Sequence, residues 1–548
     1  MLATRNKPAG QSVQFLVLAL IVVGCLVPFA DKAFNIDEPL FLWAARQVQS
    51  HPLDFYGFPA NWYNYEMPAS QIIKNPPLAS YYISLAAYPF GWSERALHLA
   101  FLPFALAAAA GTFLLAREFS ARPLVAALAC VLTPAFLVSS TAVMCDTMML
   151  AFFVWSVLLW IRGWKTGRML YLICASFLVA LCSLTKYFGV SLLPLLLTYS
   201  LADRGAKKRR ALLLLLPVLL LCAYQWSTSA LYGRGLLLDA ADYATGRGKT
   251  SAVSAGLFTG LSFTGGCLLS SAFYAPLLWR KRYFAPAAVA AVACAFLFPV
   301  VAWRIPLPDP AAWGFALQLS LFVAAGIHVL FLAGHDLWKH RDADSLLLFL
   351  WVAGTFLFAA RVNWTINARG ILPMVPAVGI LVARRLEEHQ GETHRTPLWR
   401  STLPLAPALV VALLVGWSDY RFAGTARAAA AEISRTYGGT SASLWFQGHW
   451  GFQYYMEAAG GKAVDWKRWR VSYGDFLVTP GNNTNINPAP LNSGMPFQTL
   501  EFAPARFLST MNEDTGAGFY SSIWGPLPFA FGPVPKEVYH IQEIRNTP

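Results

Sequence analysis

The sequence has 548 residues, 56% of them hydrophobic and 13% charged, with a formal net charge of +14. Its apolar residues run in stretches of about 20, the length that crosses a bilayer core, which excludes a string of soluble domains and points to a polytopic membrane protein. Lys and Arg cluster in short loops between those stretches and form no single basic face, so the charge fits the positive-inside rule and does not indicate nucleic acid.

The first apolar stretch, residues 11–30, follows Arg5 and Lys7. It is longer than a signal-peptide core and no small-residue cleavage site follows, so an uncleaved signal-anchor with a cytoplasmic N-terminus is expected. Residues 31–95 then form a polar, aromatic loop that opens with Asn35-Ile36-Asp37-Glu38-Pro39 and carries Lys74-Asn75-Pro76-Pro77. Loops above roughly 12–15 residues are functional, internally structured or disordered. Phe41, Trp43, Phe55, Tyr56 and Trp62 give this one enough apolar surface to fold, as a cap on the extracytoplasmic face.

Alternation from that start places the basic loops together on the cytoplasmic side. They hold Arg117 and Arg122; Arg162, Lys165 and Arg168; Lys207 to Arg210; Arg280 to Arg282; Lys339 and Arg341; and Arg384, Arg385, Arg395 and Arg400. The turns at Met144-Cys145-Asp146 and Lys186, residues 227–256, Arg304 to Asp309 and Arg361 to Gly370 fall on the other side. The expectation is about 13 transmembrane helices by the length criterion, the last near residues 401–417, with residues 1–417 as the membrane domain. Eight cysteines, Cys25 to Cys294, all lie in or beside apolar spans and offer no disulfide framework.

From Ser418 the composition turns to mixed polar, Gly, Pro and aromatic residues, so residues 418–548 are expected to form a small α/β extracytoplasmic lobe. Thr425 to Thr436 and Phe452 to Ala459 have helical spacing, Ser443 to Phe446 and Asp475 to Val478 read as buried strands, and Gly481 to Pro490 reads as a loop.

Several charged residues sit where chemistry could use them. Asp37 and Glu38, at the edge of the hydrocarbon under an aromatic roof, are placed to serve as a general base; the competing reading is that Asp37 caps the helix begun by Pro39. Asp146, in an otherwise apolar stretch, needs water or a partner, or else caps a helix with Thr147. On the same side Lys74, Lys186 and Arg369 can hold an anion, the guanidinium by two parallel hydrogen bonds, or can snorkel to the interface. His98 and His328 read as helix-packing residues, and His449-Trp450-Gly451-Phe452 as lobe core. Asn363-Trp364-Thr365 and Asn482-Asn483-Thr484 match the glycan-acceptor pattern at a length where chance matches occur, and no phosphate-cradling glycine loop is present.

Ile36-Asp37-Glu38-Pro39-Leu40-Phe41, Asn75-Pro76-Pro77-Leu78-Ala79-Ser80-Tyr81-Tyr82, Cys145-Asp146-Thr147, Leu184-Thr185-Lys186-Tyr187 and Asn367-Ala368-Arg369-Gly370-Ile371-Leu372-Pro373, in that order and on one side, resemble the GT-C class of membrane glycosyltransferases. The similar branch is the bacterial one related to protein O-mannosyltransferases and lipid A aminoarabinose transferases. The resemblance implies Asp37 as catalytic base with Glu38 beside it, Asp146 lining the same cavity, and Arg369 near the lipid phosphate, aided by Lys74, Asn75 or Lys186. It also implies a polyprenyl-phosphate-linked sugar as donor and a hydroxyl-bearing lipid, polysaccharide or protein of the cell envelope as acceptor, at the bacterial inner membrane. Relatives often carry His, or an acid and Lys, where this chain has Lys74-Asn75, which puts a metal bound there in doubt; no cofactor is expected, and a divalent cation stays open without a recognisable site to support it. Two other readings compete: a transporter or lipid-linked-sugar flippase, which would carry ionisable groups at the bilayer midplane, and a membrane-anchored binding or assembly protein acting through the C-terminal lobe.

Overall fold

The structure, a computed structural model, describes residues 8–203, 208–246, 253–280, 310–390, 398–438, 442–488 and 498–545, with a few single positions between 285 and 293. The chain is an integral membrane protein. Among the described residues, seven helices are long and apolar enough to cross a bilayer: Gly10–Phe29, Glu94–Ala116, Cys145–Thr166, Lys208–Tyr232, Trp313–His340, Ala343–Val362 and Trp399–Tyr437. Counting each of two bent pairs as one span brings the number to nine; these are Pro123–Val131 with Pro134–Ser140, at 64°, and Ala255–Cys267 with Leu269–Leu278, at 79°. The expectation of about 13 spans draws further on the shorter apolar helices Met169–Thr185 and Tyr187–Ala202, on Val375–Gln390, and on a stretch around residues 285–300 that is mostly outside the described residues. Cys294 and Arg304 to Asp309 lie outside them as well.

Local chemistry sets these boundaries. Ser93 accepts the Ala96 amide to open one helix, and Gly167, at φ +75°, closes another in the left-handed conformation that a side chain resists. The first bend falls at Thr133-Pro134, where proline cannot continue the ladder and the Thr133 hydroxyl caps the new helix at Phe136. In Cys145–Thr166 the charges separate to the two ends: Asp146 at the start, Arg162 paired with Glu118 at 2.9 Å and Lys165 with Asp344 at 3.1 Å at the finish. Arg162 lies sixteen positions beyond Asp146, roughly 24 Å at 1.5 Å per residue, which leaves the intervening apolar surface to the bilayer and to neighbouring helices.

The loop at residues 31–95 has its own elements. Helix Glu38–Ser50 is followed by an antiparallel pair, Pro59–Asn61 with Glu66–Pro68, and by helices Ala69–Ile72 and Leu78–Phe90. Phe55, Tyr56 and Trp62 are buried.

The end of the last span differs from the expectation of a break near Trp417. A single helix, Leu405–Tyr437, runs through Ser418 and includes the segment Thr425 to Thr436. No proline interrupts it after Pro407, and its first polar residues find partners: Ser418 donates to the Leu508 carbonyl at 2.5 Å and Asp419 pairs with Lys32 at 2.5 Å. Beyond it a five-stranded sheet has the order Lys462–Ala463, Leu444–Phe446, Phe476–Pro480, Glu537–Glu543, Gln498–Phe502, parallel in its first half and antiparallel in its second. Ala429, Ile433, Phe446, Phe452, Val478 and Ile541 form its core with the end of the long helix. Residues 508–531 belong elsewhere: Leu508, Met511, Phe519, Tyr520 and Phe529 join the core of the membrane helices, and Phe529 meets Phe322 at 5.0 Å between ring centroids.

Within the lobe, burial pushes Glu537 up to about 7, with the Asn482 amide opposing it. A carboxyl raised in the folded state contributes stability that is complete below its unfolded value, near 4.5, and is lost as pH rises through about 7. The loss amounts to at most about 3 kcal/mol. Glu537→Gln is therefore expected to flatten part of the fall in unfolding midpoint between pH 4.5 and 8, measured by thermal unfolding of the full chain in detergent; an unchanged pH slope would contradict it.

Candidate active site

Residues from six separate stretches meet around Arg369. Its helix begins at Asn367, whose side chain accepts the Gly370 amide, and the Ala368 amide donates to the Phe519 carbonyl at 2.8 Å. The guanidinium is thereby anchored from two directions. Its Nη2 meets the Asp37 carboxylate at 2.9 Å, its Nη1 lies 3.3 Å from the Met144 sulfur, and its carbon sits 5.5 Å from the centre of the Tyr520 ring. Its Nε is buried with no hydrogen-bond partner among the described residues.

Asp37 occupies the N-cap position of helix Glu38–Ser50, yet its side chain makes no capping bond. The carboxylate turns to Arg369 and keeps 29% of its surface exposed, so the capping reading does not describe it. Ile36, just before it, sits at φ +50°, a conformation that costs a β-branched residue energy and that tends to collect at functional sites. Glu38 holds that geometry in place. One of its oxygens takes the Asn35 amide and the other the Val143 amide, both at 2.5 Å, which ties the loop to the turn before Asp146. Burial pushes Glu38 up to about 7, with Lys32 the strongest opposing influence. Its oxygens are thus engaged in positioning the turn.

Asp146 lies in the first turn of its helix, whose N-cap is Met144, so it does not cap with Thr147. It pairs with Lys186 at 2.5 Å, and its other oxygen is buried without a partner among the described residues. Lys186 is therefore engaged by a carboxylate and is not simply extended to the interface. Asp146 also acts electrostatically on Arg369. Two carboxylates and two cations thus form one group, with Asn75 at its side: the Cys145 thiol approaches Asn75 Oδ1 at 3.8 Å, and the Asn75 carbonyl accepts from the Tyr56 hydroxyl at 2.7 Å. Lys74 turns to another partner, Asp239, at 2.5 Å, which Arg234 also meets at 2.7 Å.

The sequence reading missed Lys32, Asp419 and Tyr520. Lys32 and Asp419 are fully buried and paired at 2.5 Å, and the Tyr520 and Thr510 hydroxyls donate to Asp419 at 2.8 and 3.2 Å. Lys32 carried a signal, as a cation in the loop expected on the extracytoplasmic side, where cations are expected to be few. Nothing local marks Tyr520, which arrives through the packing of residues 508–531.

His98 stacks on Phe34 and bonds the Glu94 carbonyl, and His328 accepts from the Trp279 indole. Asn482 donates to Met511 and Glu537 and accepts from Trp524, so its amide is occupied within the fold. Among the described residues, one group could hold a metal ion by the spacing of its atoms: Asp336, His340 and Glu388. Lys339, Arg384 and Arg385 already neutralise those carboxylates, and Glu388 lies nineteen residues past Arg369, on the far part of the next helix.

Residues 74–227 match the family model described as dolichyl-phosphate-mannose-protein mannosyltransferase, a segment that contains Lys74, Asn75, Asp146 and Lys186. The chain resembles the GT-C membrane glycosyltransferases. No curated protein matches the sequence. Among solved structures, an Archaeoglobus fulgidus oligosaccharyltransferase tethered with an acceptor peptide is similar at a TM-score of 0.48 and 13% identity, over 84% of this chain. The present chain spans 64% of that protein's length. ArnT from Cupriavidus metallidurans bound to undecaprenyl phosphate is similar at 0.47 and 16% identity, over 86% of this chain and 94% of that one. The arabinofuranosyltransferase AftD from Mycobacteria is similar at 0.43 and 13%, over 99% and 40%.

Proposed function

We propose that the chain is an inverting glycosyltransferase that moves a sugar from a polyprenyl-phosphate donor to a hydroxyl of an envelope acceptor on the extracytoplasmic face of the bacterial plasma membrane. The observation that carries the reading is the Asp37–Arg369 pair at 2.9 Å, with Asp146 and Lys186 in the same group. The GT-C resemblance and the matched segment 74–227 support it. A single displacement uses these parts. Asp37 takes the proton of the acceptor hydroxyl as its oxygen bonds to the anomeric carbon; the bond from that carbon to the phosphate oxygen breaks, and the phosphate leaves with the electron pair. Arg369, with Lys186 behind it, stabilises that departing charge. The arriving donor phosphate competes with Asp37 for the guanidinium, so donor binding itself releases the base.

In this proposal the N-terminus is cytoplasmic, about 13 helices span the bilayer by the length criterion, and residues 418–548 form an extracytoplasmic lobe. Mass spectrometry of envelope lipids, polysaccharide and exported proteins after loss of the gene tests it. One of these molecules is expected to lose a sugar; an unchanged glycan complement would refute the proposal.

A further inference from the structure

A cleft of about 650 Å³ opens between the first loop and the C-terminal lobe, outside the group around Arg369. One wall is the far part of helix Glu38–Ser50, which presents Trp43, Gln47 and Ser50; the opposite wall comes from the sheet and includes Trp445. We propose that this cleft binds a saccharide, the glycan portion of the acceptor. The inference rests on the transferase reading and extends it to the acceptor.

Three observations carry it. The first is that the aromatic side chains Trp43 and Phe58 line the cleft beside the polar side chains of Gln47, Ser50 and Asn61, the combination that receives a sugar ring with its adjacent hydroxyl donors and acceptors. Trp43 is half-buried and set edge-on to Trp62, with ring centroids 6.0 Å apart, so it is held rigidly. The second is a preorganised polar ladder on one face of helix Trp450–Ala458. His449 Nδ1 donates to Gln453 Oε1 at 2.7 Å, and Gln453 Nε2 donates to the Asn61 carbonyl at 2.9 Å and to Glu457 at 2.7 Å. Asn61 completes the ladder with an unmet need: its Nδ2 donates to the Val464 carbonyl, while its Oδ1 is buried with no partner among the described residues. A ligand hydroxyl donating there would satisfy it.

The third observation is position. Trp43 and Ser50 lie six and thirteen residues beyond Asp37, roughly 9 and 20 Å along the helix axis at 1.5 Å per residue. A glycan lying in the cleft can therefore lead its terminal hydroxyl back toward the proposed base. A peptide fits less well, because the sheet edge at the cleft, Lys462–Ala463, is only two residues long and offers little backbone for strand addition. Exposed Arg468 and Arg470 at the rim admit acidic sugars as well as neutral ones.

The test titrates the full chain in nanodiscs with galacturonan oligosaccharides, matched neutral glucan oligosaccharides and a polyglutamate peptide, by calorimetry. One or both saccharide series are expected to bind. Trp43→Ala should weaken binding about tenfold and Trp43→Phe should restore most of it, from the loss and return of an aromatic face. Arg468→Ala should weaken galacturonan alone, which separates the two sources. Hydroxyl-radical footprinting of the unmodified chain should show saccharide protection at Trp43 and Phe58, a readout that requires no variant to fold. Binding and protection at the cleft are read without sugar transfer, so failed chemistry and a failed cleft give different results. Binding by neither series, binding without protection at Trp43, or binding of polyglutamate alone would overturn the proposal.

Discussion

Asp37→Asn is expected to lower sugar transfer by about 10²–10⁴, the usual contribution of a positioned general base. The change keeps shape and volume, and among the described residues the Asp37 side chain makes no capping bond and pairs with Arg369, so the fold is expected to persist. Removing the carboxylate also frees the guanidinium, so binding of a polyprenyl phosphate should be unchanged or tighter. That split, transfer lost and lipid binding kept, distinguishes a base from a structural residue. Arg369→Lys is expected to cost about 10²–10³ in transfer, by analogy with the loss of one oxyanion donor, since an ammonium cannot reproduce the two parallel bonds of the guanidinium. Both are checked in reconstituted vesicles with the donor and acceptor identified from the envelope. Transfer at the unmodified rate by Asp37→Asn would remove the proposed base.

Lys32→Met should destabilise the protein by about 3–5 kcal/mol, the cost of leaving one charge of a buried pair uncompensated. Lys32 is 1% exposed and Asp419 is 0%, so neither charge can recover its loss from water. The double variant Lys32→Met/Asp419→Asn should lose less than the single one. It removes both charges and keeps an amide oxygen that can accept from the Tyr520 or Thr510 hydroxyl, so at most one of the two is left without an acceptor, at about 1–3 kcal/mol. Thermal unfolding in detergent measures both; a single variant within about 1 kcal/mol of the parent would show that water reaches Asp419.

Much of the membrane part was legible because bilayer thickness imposes one length on every span, and apolar runs of that length leave a plain mark. The candidate site was legible for a related reason. A charge beside hydrocarbon is costly, so Asp37, Asp146, Lys186 and Arg369 stood out one by one, and the fold brings them together. Their pairing was not legible. Asp37 and Arg369 are more than three hundred residues apart, and no local pattern says which cation meets which carboxylate. Glu38 shows the same limit: next to Asp37 in sequence, it points at two backbone amides, because adjacent residues at a helix start face different directions. The break expected at Trp417 failed because polarity alone does not end a helix; Ser418 and Asp419 found partners within the fold and the ladder continued. Lys74 stood out as well, yet Asp239 holds it, an acid in a helix that composition alone did not mark.

The hydrogen bond from Ala368 to Phe519 and the Tyr520 ring over Arg369 bear on biogenesis. Asp37 emerges from the ribosome early, but the guanidinium it meets is steadied by a segment made nearly five hundred residues later. A chain made only as far as Arg369 therefore lacks two of the contacts that hold this residue in place, and the group around it is completed when residues 519 and 520 pack against it.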